Sequence, residues 1–463
     1  MSRVDAVIKN GKIAISGRLV DAGLAIDEGK IVGVMKEPHL PEADRVIDVK
    51  RNLVLPGIID MHVHFRDPGL THKEDFQTGT TAAAAGGVTI AIDMPNTKPP
   101  VWSVKNFEDK KRIVEKKALI DFGLTAGVTK PKEIMGLKEA GASWFKVFTF
   151  KEEKEGLPHV PDLWAGDADQ LYEICGLVAK TGLMLGFHAD NYKIVNYIMR
   201  EMISQGRNDP TAYVDPKFDV AETVDYVRMI AIAQALGTRL YILHAGSREG
   251  MDYVRLAKSM GQDVVVETCP YRLLITTEAV EKLGPYLSPL PQTGDVVEKL
   301  WEALIDGTID VVSSDHAPHT KDEKEVGWKD IWSSPAGCPG VQTMLPLMLT
   351  QVNEGRISLQ RLIELTAETP AKLLGLYPTI GAINVGSHAN LTVVDMKKED
   401  TINVDKLHTK VKWTLYDGWN VRGVPVLTMV RGEMVMEDGE VIGRPGYGEM
   451  IKANPIFPET KQE

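Results

Sequence analysis

Cysteine is nearly absent: Cys175, Cys269 and Cys338 are the only three in 463 residues. An odd, widely scattered set excludes a disulfide framework and a thiolate zinc knot, and it suits a reducing compartment. Cationic charge is in deficit too, with 53 Lys and Arg against 64 Asp and Glu and a net charge of -11. Nucleic acid and anionic membranes are held by concentrated cations, so neither is an expected partner. A local basic pocket for a small anion stays open. No apolar run approaches the length of a membrane span. The opening "MSRVDAVIKNGKIAI" alternates like a strand and lacks the apolar block of a signal peptide, so the expected location is cytoplasmic. Low-complexity segments and short tandem repeats are missing as well.

What is present is a globular composition, 43% hydrophobic and 25% charged, in a chain too long for one ordinary core. Residues 1–55 read as short strands in "DAVIKNGKIAI", "GLAIDEGKIVGVM" and "RVIDVKRNLVLPG", with Asn10-Gly11 and Glu28-Gly29 as hairpin turns. The same texture returns over 382–443, where Asp438-Gly439 marks another turn. Together the two ends predict one small β-sandwich domain built from both termini. The polar, Pro-containing stretch 444–463 is expected to be an extended tail or a partner-contacting arm.

The middle, 56–381, alternates short apolar runs with helix-like segments. The strand candidates are "GIIDMHVHF", "GVTIAIDMPN", "IDFGLTAGV", "SWFKVFTF", "LMLGFHAD", "RLYILHAG", "QDVVVETCP" and "IDVVSSDHAP". Amphipathic stretches such as "YVRMIAIAQALG" and "GMDYVRLAKSMG" lie between them and end in glycine, the residue that closes helices. Eight strands wound with helices predict an α/β fold, a (β/α)8 TIM-like barrel. Its active site is expected at the C-terminal ends of the strands.

Polar residues crowd those ends. His62 and His64, at i and i+2 of a strand, point to one side. The fourth run adds Lys146, the fifth His188, the sixth His244 and the eighth Asp315. A single strand-end histidine is ordinary. Four of the 11 histidines at matching barrel positions, joined by a carboxylate, suit a divalent transition metal such as zinc. Lys146 interrupts an apolar strand, and a buried ammonium costs several kcal/mol unless paired or neutralised. Reaction with carbon dioxide would make it an anionic carbamate able to bridge two metals; pairing with a carboxylate is the alternative.

These motifs, in this order, resemble the amidohydrolase superfamily over nearly the whole chain, in the branch of dihydroorotases, allantoinases and hydantoinases. "DMHVHFRDPG", the strand-four lysine, "FHAD", "LHAG" and "SSDHAPH" carry the resemblance. It implies two divalent metal ions, zinc in the first instance, and a homo-oligomer, either dimer or tetramer. His62, His64 and Asp315 would hold one metal, His188 and His244 the other, and carboxylated Lys146 would bridge them. The chemistry implied is hydrolysis of a small cyclic amide or ureide. Divalent cations lower the pKa of bound water from 15.7 towards about 7 and polarise the ring carbonyl. Asp315 would take the water's proton and pass it to the leaving nitrogen. Non-catalytic dihydropyrimidinase-related assembly proteins share the scaffold but typically lose metal ligands, all of which are present here.

Arg66 and Asn96, in "HFRDPG" and "MPNT", resemble the arginine and asparagine with which dihydroorotases bind the dihydroorotate carboxylate, a step in pyrimidine biosynthesis. His319 matches their substrate-ring contact. Rim ion pairing of Arg66 and a turn role for Asn96 are the alternatives. Two features depart from that pattern: "TCPYRLL" places Tyr271 and Arg272 where a histidine pair is usual, and "LSPLPQTG" replaces an "NPPLR"-like stretch. The insert after Lys146 and the loop "DEKEVGWKDIWSSPAG" look more like hydantoinases or allantoinases. Dihydroorotase is the first reading, allantoinase or hydantoinase the next. The loop is expected to cover the substrate, with Trp328 or Trp332 either sensing ligand or anchoring the loop.

Overall fold

Alternating apolar residues draw the two ends of the chain into one mixed sheet. In the computed structural model, which describes residues 3–149, 162–287 and 293–457, this sheet has nine strands. Leu53–Pro56 is the joint: it pairs in parallel with Val4–Ile15 and antiparallel with Leu391–Thr401. Ile8, Ile13, Leu24 and Ile26 from the first segment share one buried cluster with Leu391, Val393, Leu427 and Met429 from the second.

Val4–Ile15 changes partner along its length, from Ala43–Asp48 to Leu53–Pro56. The change falls at a register shift between Ile8 and Gly11, where Asn10 has φ 56°. Asn10-Gly11, read above as a hairpin turn, is therefore a bulge inside a continuous strand. Turns and bulges both need a residue that tolerates positive φ, so the same dipeptide serves either. The actual turn is Ser16-Gly17, at φ 46° and 74°. Glu28-Gly29 and Asp438-Gly439 do close hairpins.

Each of the eight apolar runs holds a barrel strand. They are Ile58–Val63, Val88–Asp93, Asp121–Leu124 with Ala126–Gly127, Phe145–Phe148, Leu185–His188, Leu240–Ile242, Val264–Thr268 and Val311–Val312. All neighbouring pairs are parallel. The third strand breaks at Thr125, its first piece pairing with the second strand and its last with the fourth. The barrel closes between the eighth strand and the first, where His64 N donates to His316 O at 2.8 Å and Ser314 N to Asp60 Oδ1 at 3.1 Å. This is the (β/α)8 barrel expected from the alternation. The helix Asp219–Leu236 ends on Gly237 at φ 66°, as its final glycine predicted.

Ile59, Met61, Ile90, Ile92, Trp144 and Tyr241 fill the barrel's interior, and Ala371, Leu374 and Ile380 plug its floor. The stretch after Arg444 runs beneath that floor. Gly446 N and Gly448 N donate to Ala118 O at 3.0 and 2.9 Å, Ile451 N to Phe122 O at 2.8 Å, and Ile456 N to Gly182 O at 2.9 Å. As far as residue 457 the expected tail thus lies on the chain's own barrel; its end, 458–463, is outside the described residues. Most of the insert after Lys146 (150–161) and of "LSPLPQTG" (288–292) is outside them too. Among the described residues no helix is long and apolar enough to cross a membrane.

Candidate metal centre

The spacing of His62 and His64 aims both imidazoles into the barrel mouth, where Asp315 arrives from the eighth strand. His62 Nε2 and His64 Nε2 lie 3.2 Å apart, and Asp315 Oδ1 is 3.3 and 3.4 Å from them. The far nitrogen of each ring is committed. His62 Nδ1 donates to Glu267 Oε1 at 2.8 Å, and His64 Nδ1 donates to Asn96 Oδ1 at 2.7 Å. With the protons held at Nδ1, both Nε2 lone pairs face one point. Two lone pairs and a carboxylate oxygen, all within 4.8 Å of one another, form a donor set that fits a divalent cation.

Electrostatics agree with that donor set. Burial pushes the His64 and His244 imidazoles well below the ordinary histidine value, keeping them neutral. The backbone is unusual here as well. Arg66, His244 and Asp315 have φ 62°, 36° and 46°, in the left-handed region that side chains avoid.

His244 and His188 continue the row of rings. The His62 and His244 centroids are 5.6 Å apart, and those of His244 and His188 are 4.4 Å apart. His188 Nε2 donates to Asp190 Oδ2 at 2.7 Å. Lys146 lies on the neighbouring strand, paired in register with Gly186, two residues before His188. Its side chain is fully buried, and Nζ has no hydrogen-bond partner among the described residues. Burial brings its amine down to about 7.

The residues expected to meet the substrate gather beside this row. Arg66 is buried and donates from Nη2 to His319 Nε2 at 3.1 Å and from Nε to Pro318 O at 3.3 Å. Burial lowers its guanidinium to about 10. Lys73 Nζ lies 3.1 Å from His319 Nδ1 and pairs with Glu323 at 2.7 Å. Asn96 stands apart from Arg66 in its partner, its carbonyl oxygen being the acceptor for His64. In the loop after strand eight, Trp332 is buried among Ile198, Met202 and Phe218 and donates to Arg207 O at 3.0 Å. That contact anchors the loop. Trp328 is 48% exposed.

Three contributors were not singled out from sequence. Glu267, fully buried, also accepts from Tyr241 Oη at 2.5 Å and from His244 N at 3.1 Å, so it ties three strands to one carboxylate. Its acidic side chain in an otherwise apolar strand was the available signal. His316 is a brace rather than a ligand: Nδ1 accepts from Gly340 N at 3.1 Å, and Nε2 donates to Glu74 Oε2 at 3.3 Å. Lys73 carried no signal, being one charge in the mixed run "THKEDF".

Residues 53–435 match the model of the Amidohydrolase family. The L-hydantoinase of Paenarthrobacter aurescens is 35% identical over 456 residues, covering 96% of this chain and 98% of the relative. The dihydroorotase of Methanothermobacter thermautotrophicus is 35% identical over 436 residues, covering 94% and 95%. Among solved structures, the L-hydantoinase (dihydropyrimidinase) from Arthrobacter aurescens superposes with a TM-score of 0.92 at 34% identity, over 97% of this chain and 100% of that one.

Proposed function

The chain belongs to the amidohydrolase family, as a hydrolase of cyclic amides, and from that premise we propose that it opens the ring of dihydroorotate at a two-zinc centre. The observation that carries the metal is the convergence of His62 Nε2, His64 Nε2 and Asp315 Oδ1 with both Nδ1 protons held elsewhere. His188 and His244 are the second set. Lys146, a buried amine near neutrality with no hydrogen-bond partner among the described residues, is the residue that would be carboxylated between them. When bound, the cations supply Lewis acidity, lowering the pKa of water and polarising the ring carbonyl. Asp315 takes a proton from the attacking water as the new C–O bond forms. It gives that proton to the ring nitrogen as the C–N bond breaks.

The ring assignment rests on Arg66. A buried guanidinium beside His319 at the mouth of the barrel matches a substrate carboxylate. A hydantoin is the second reading, supported by the equal identity to an L-hydantoinase and by the partners Arg66 already has in Pro318 and His319. A panel of dihydroorotate, hydantoins, allantoin and dihydrouracil separates the two. Arg66→Ala should raise KM for dihydroorotate about ten- to a hundred-fold, the loss of a charge-assisted contact. Uncharged rings should lose far less. Equal losses on both would give Arg66 an architectural role, and a wild-type preference for hydantoin would reverse the ranking.

A further inference from the structure

The "TCPYRLL" segment departs from the dihydroorotase pattern, and the structure gives that departure a place. Strand seven ends at Thr268, and the short helix Pro270–Leu274 turns Tyr271 back over the barrel mouth. Tyr271 Oη donates to Asp315 Oδ2 at 2.9 Å. The ring is buried, packed with Cys269, Ile275, Cys338 and Tyr416. Its neighbour Arg272 is held by the buried Glu222, 3.7 Å away. The two oxygens of Asp315 are thereby divided. Oδ1 faces the histidine pair, and Oδ2 is taken by the phenol.

We propose that Tyr271 is a positioning residue whose hydroxyl fixes the rotation of the Asp315 carboxylate, so that Oδ1 is presented to the cation. A carboxylate can turn about its terminal torsion and offer either oxygen, because that torsion is broad. A phenol can hold that torsion without competing for the cation, because it enters the contact as a hydrogen-bond donor. The proposal rests on the reading of Asp315 as a ligand, and its test separates the two.

Tyr271→Phe removes the hydroxyl and keeps the ring that packs in the apolar cluster, so the fold is retained. Outer partners of metal ligands typically contribute about 10–100-fold in metal affinity or activity. Zinc affinity, read by chelator competition on the otherwise intact protein, should fall by about that factor. Turnover of the best substrate should fall through kcat, with KM within about twofold of wild type. In an Asp315→Ala background, Tyr271→Phe should cost no further zinc affinity, because the two act through one contact. Unchanged zinc affinity and kcat in Tyr271→Phe would overturn the proposal while leaving Asp315 as a ligand. An additive loss in the double variant would overturn it too, assigning Tyr271 a path that bypasses Asp315. Wild-type protein that binds no zinc would overturn both readings.

Discussion

A lysine amine enclosed in an apolar strand, with no hydrogen-bond partner among the described residues, is most stable neutral, and burial brings Lys146 down to about 7. Its ordinary value is 10.5, so between those pH values the unfolded chain holds a proton that the folded chain does not. Stability of the metal-free, carbon-dioxide-free protein therefore rises with pH across that window on account of this group. Lys146→Met, similar in size and apolar, should be more stable than wild type under those conditions. The gap should be widest below about pH 7 and shrink towards 10.5. Denaturant melts at a series of pH values measure it, and a pH-independent gap would mean the amine has a partner. The same variant should lose turnover if, as proposed, Lys146 is carboxylated, since methionine cannot form a carbamate. Lys146 was legible as a charge in the wrong place, and His62 and His64 as a pair by their two-residue spacing. Tyr271 was visible only as a departure from a pattern. The contacts of Glu267 with His62, and of Asn96 with His64, were not legible, because they join segments whose meeting depends on register around the barrel.

The barrel strands could be read from the sequence because parallel strands covered on both faces become short, continuous apolar runs. Their register could not, nor could the break at Thr125. The Asn10-Gly11 bulge shows the limit at the level of single elements. A dipeptide that permits positive φ marks a place where the chain departs from a regular strand, without stating whether it reverses or only changes partner. Here the flanking strand continues because a second parallel neighbour, Leu53–Pro56, is ready to take over from Ala43–Asp48. Asn10→Gly should leave stability within about 0.5 kcal/mol, since glycine adopts this φ freely. Asn10→Val should cost about 1–2 kcal/mol, the penalty of a side chain in the left-handed region. Denaturant midpoints compare the two, and equal midpoints would place the strain elsewhere.

At the scale of the whole molecule, the C-terminal stretch binds the end of the barrel opposite the histidines. Its polarity suggested an extended tail or a partner-contacting arm, and its backbone groups pair with the floor at Ala118, Phe122 and Gly182. A chain ending at Gly443 should lose about 0.5–1.5 kcal/mol for each of these bonds, several kcal/mol together. Zinc affinity should be unchanged in that shortened chain at temperatures where it is folded. A matching loss of affinity would mean that the floor and the mouth move as one. The mouth has its own long-range dependence. Its proposed first metal site takes one ligand from the end of the first barrel strand, one from just beyond that strand and one from just beyond the eighth. The closing contact between these strands joins Asp60 to Ser314, 254 positions apart in sequence. During synthesis from the N-terminus, His62 and His64 emerge early, and they wait for Asp315 until nearly the whole barrel has been made. A nascent chain or a fragment stopping short of Asp315 would offer a cation only a pair of imidazoles from that set. Uptake of a metal at that first site would then mark the moment of ring closure, and that ion would serve as a late clasp on the closed barrel.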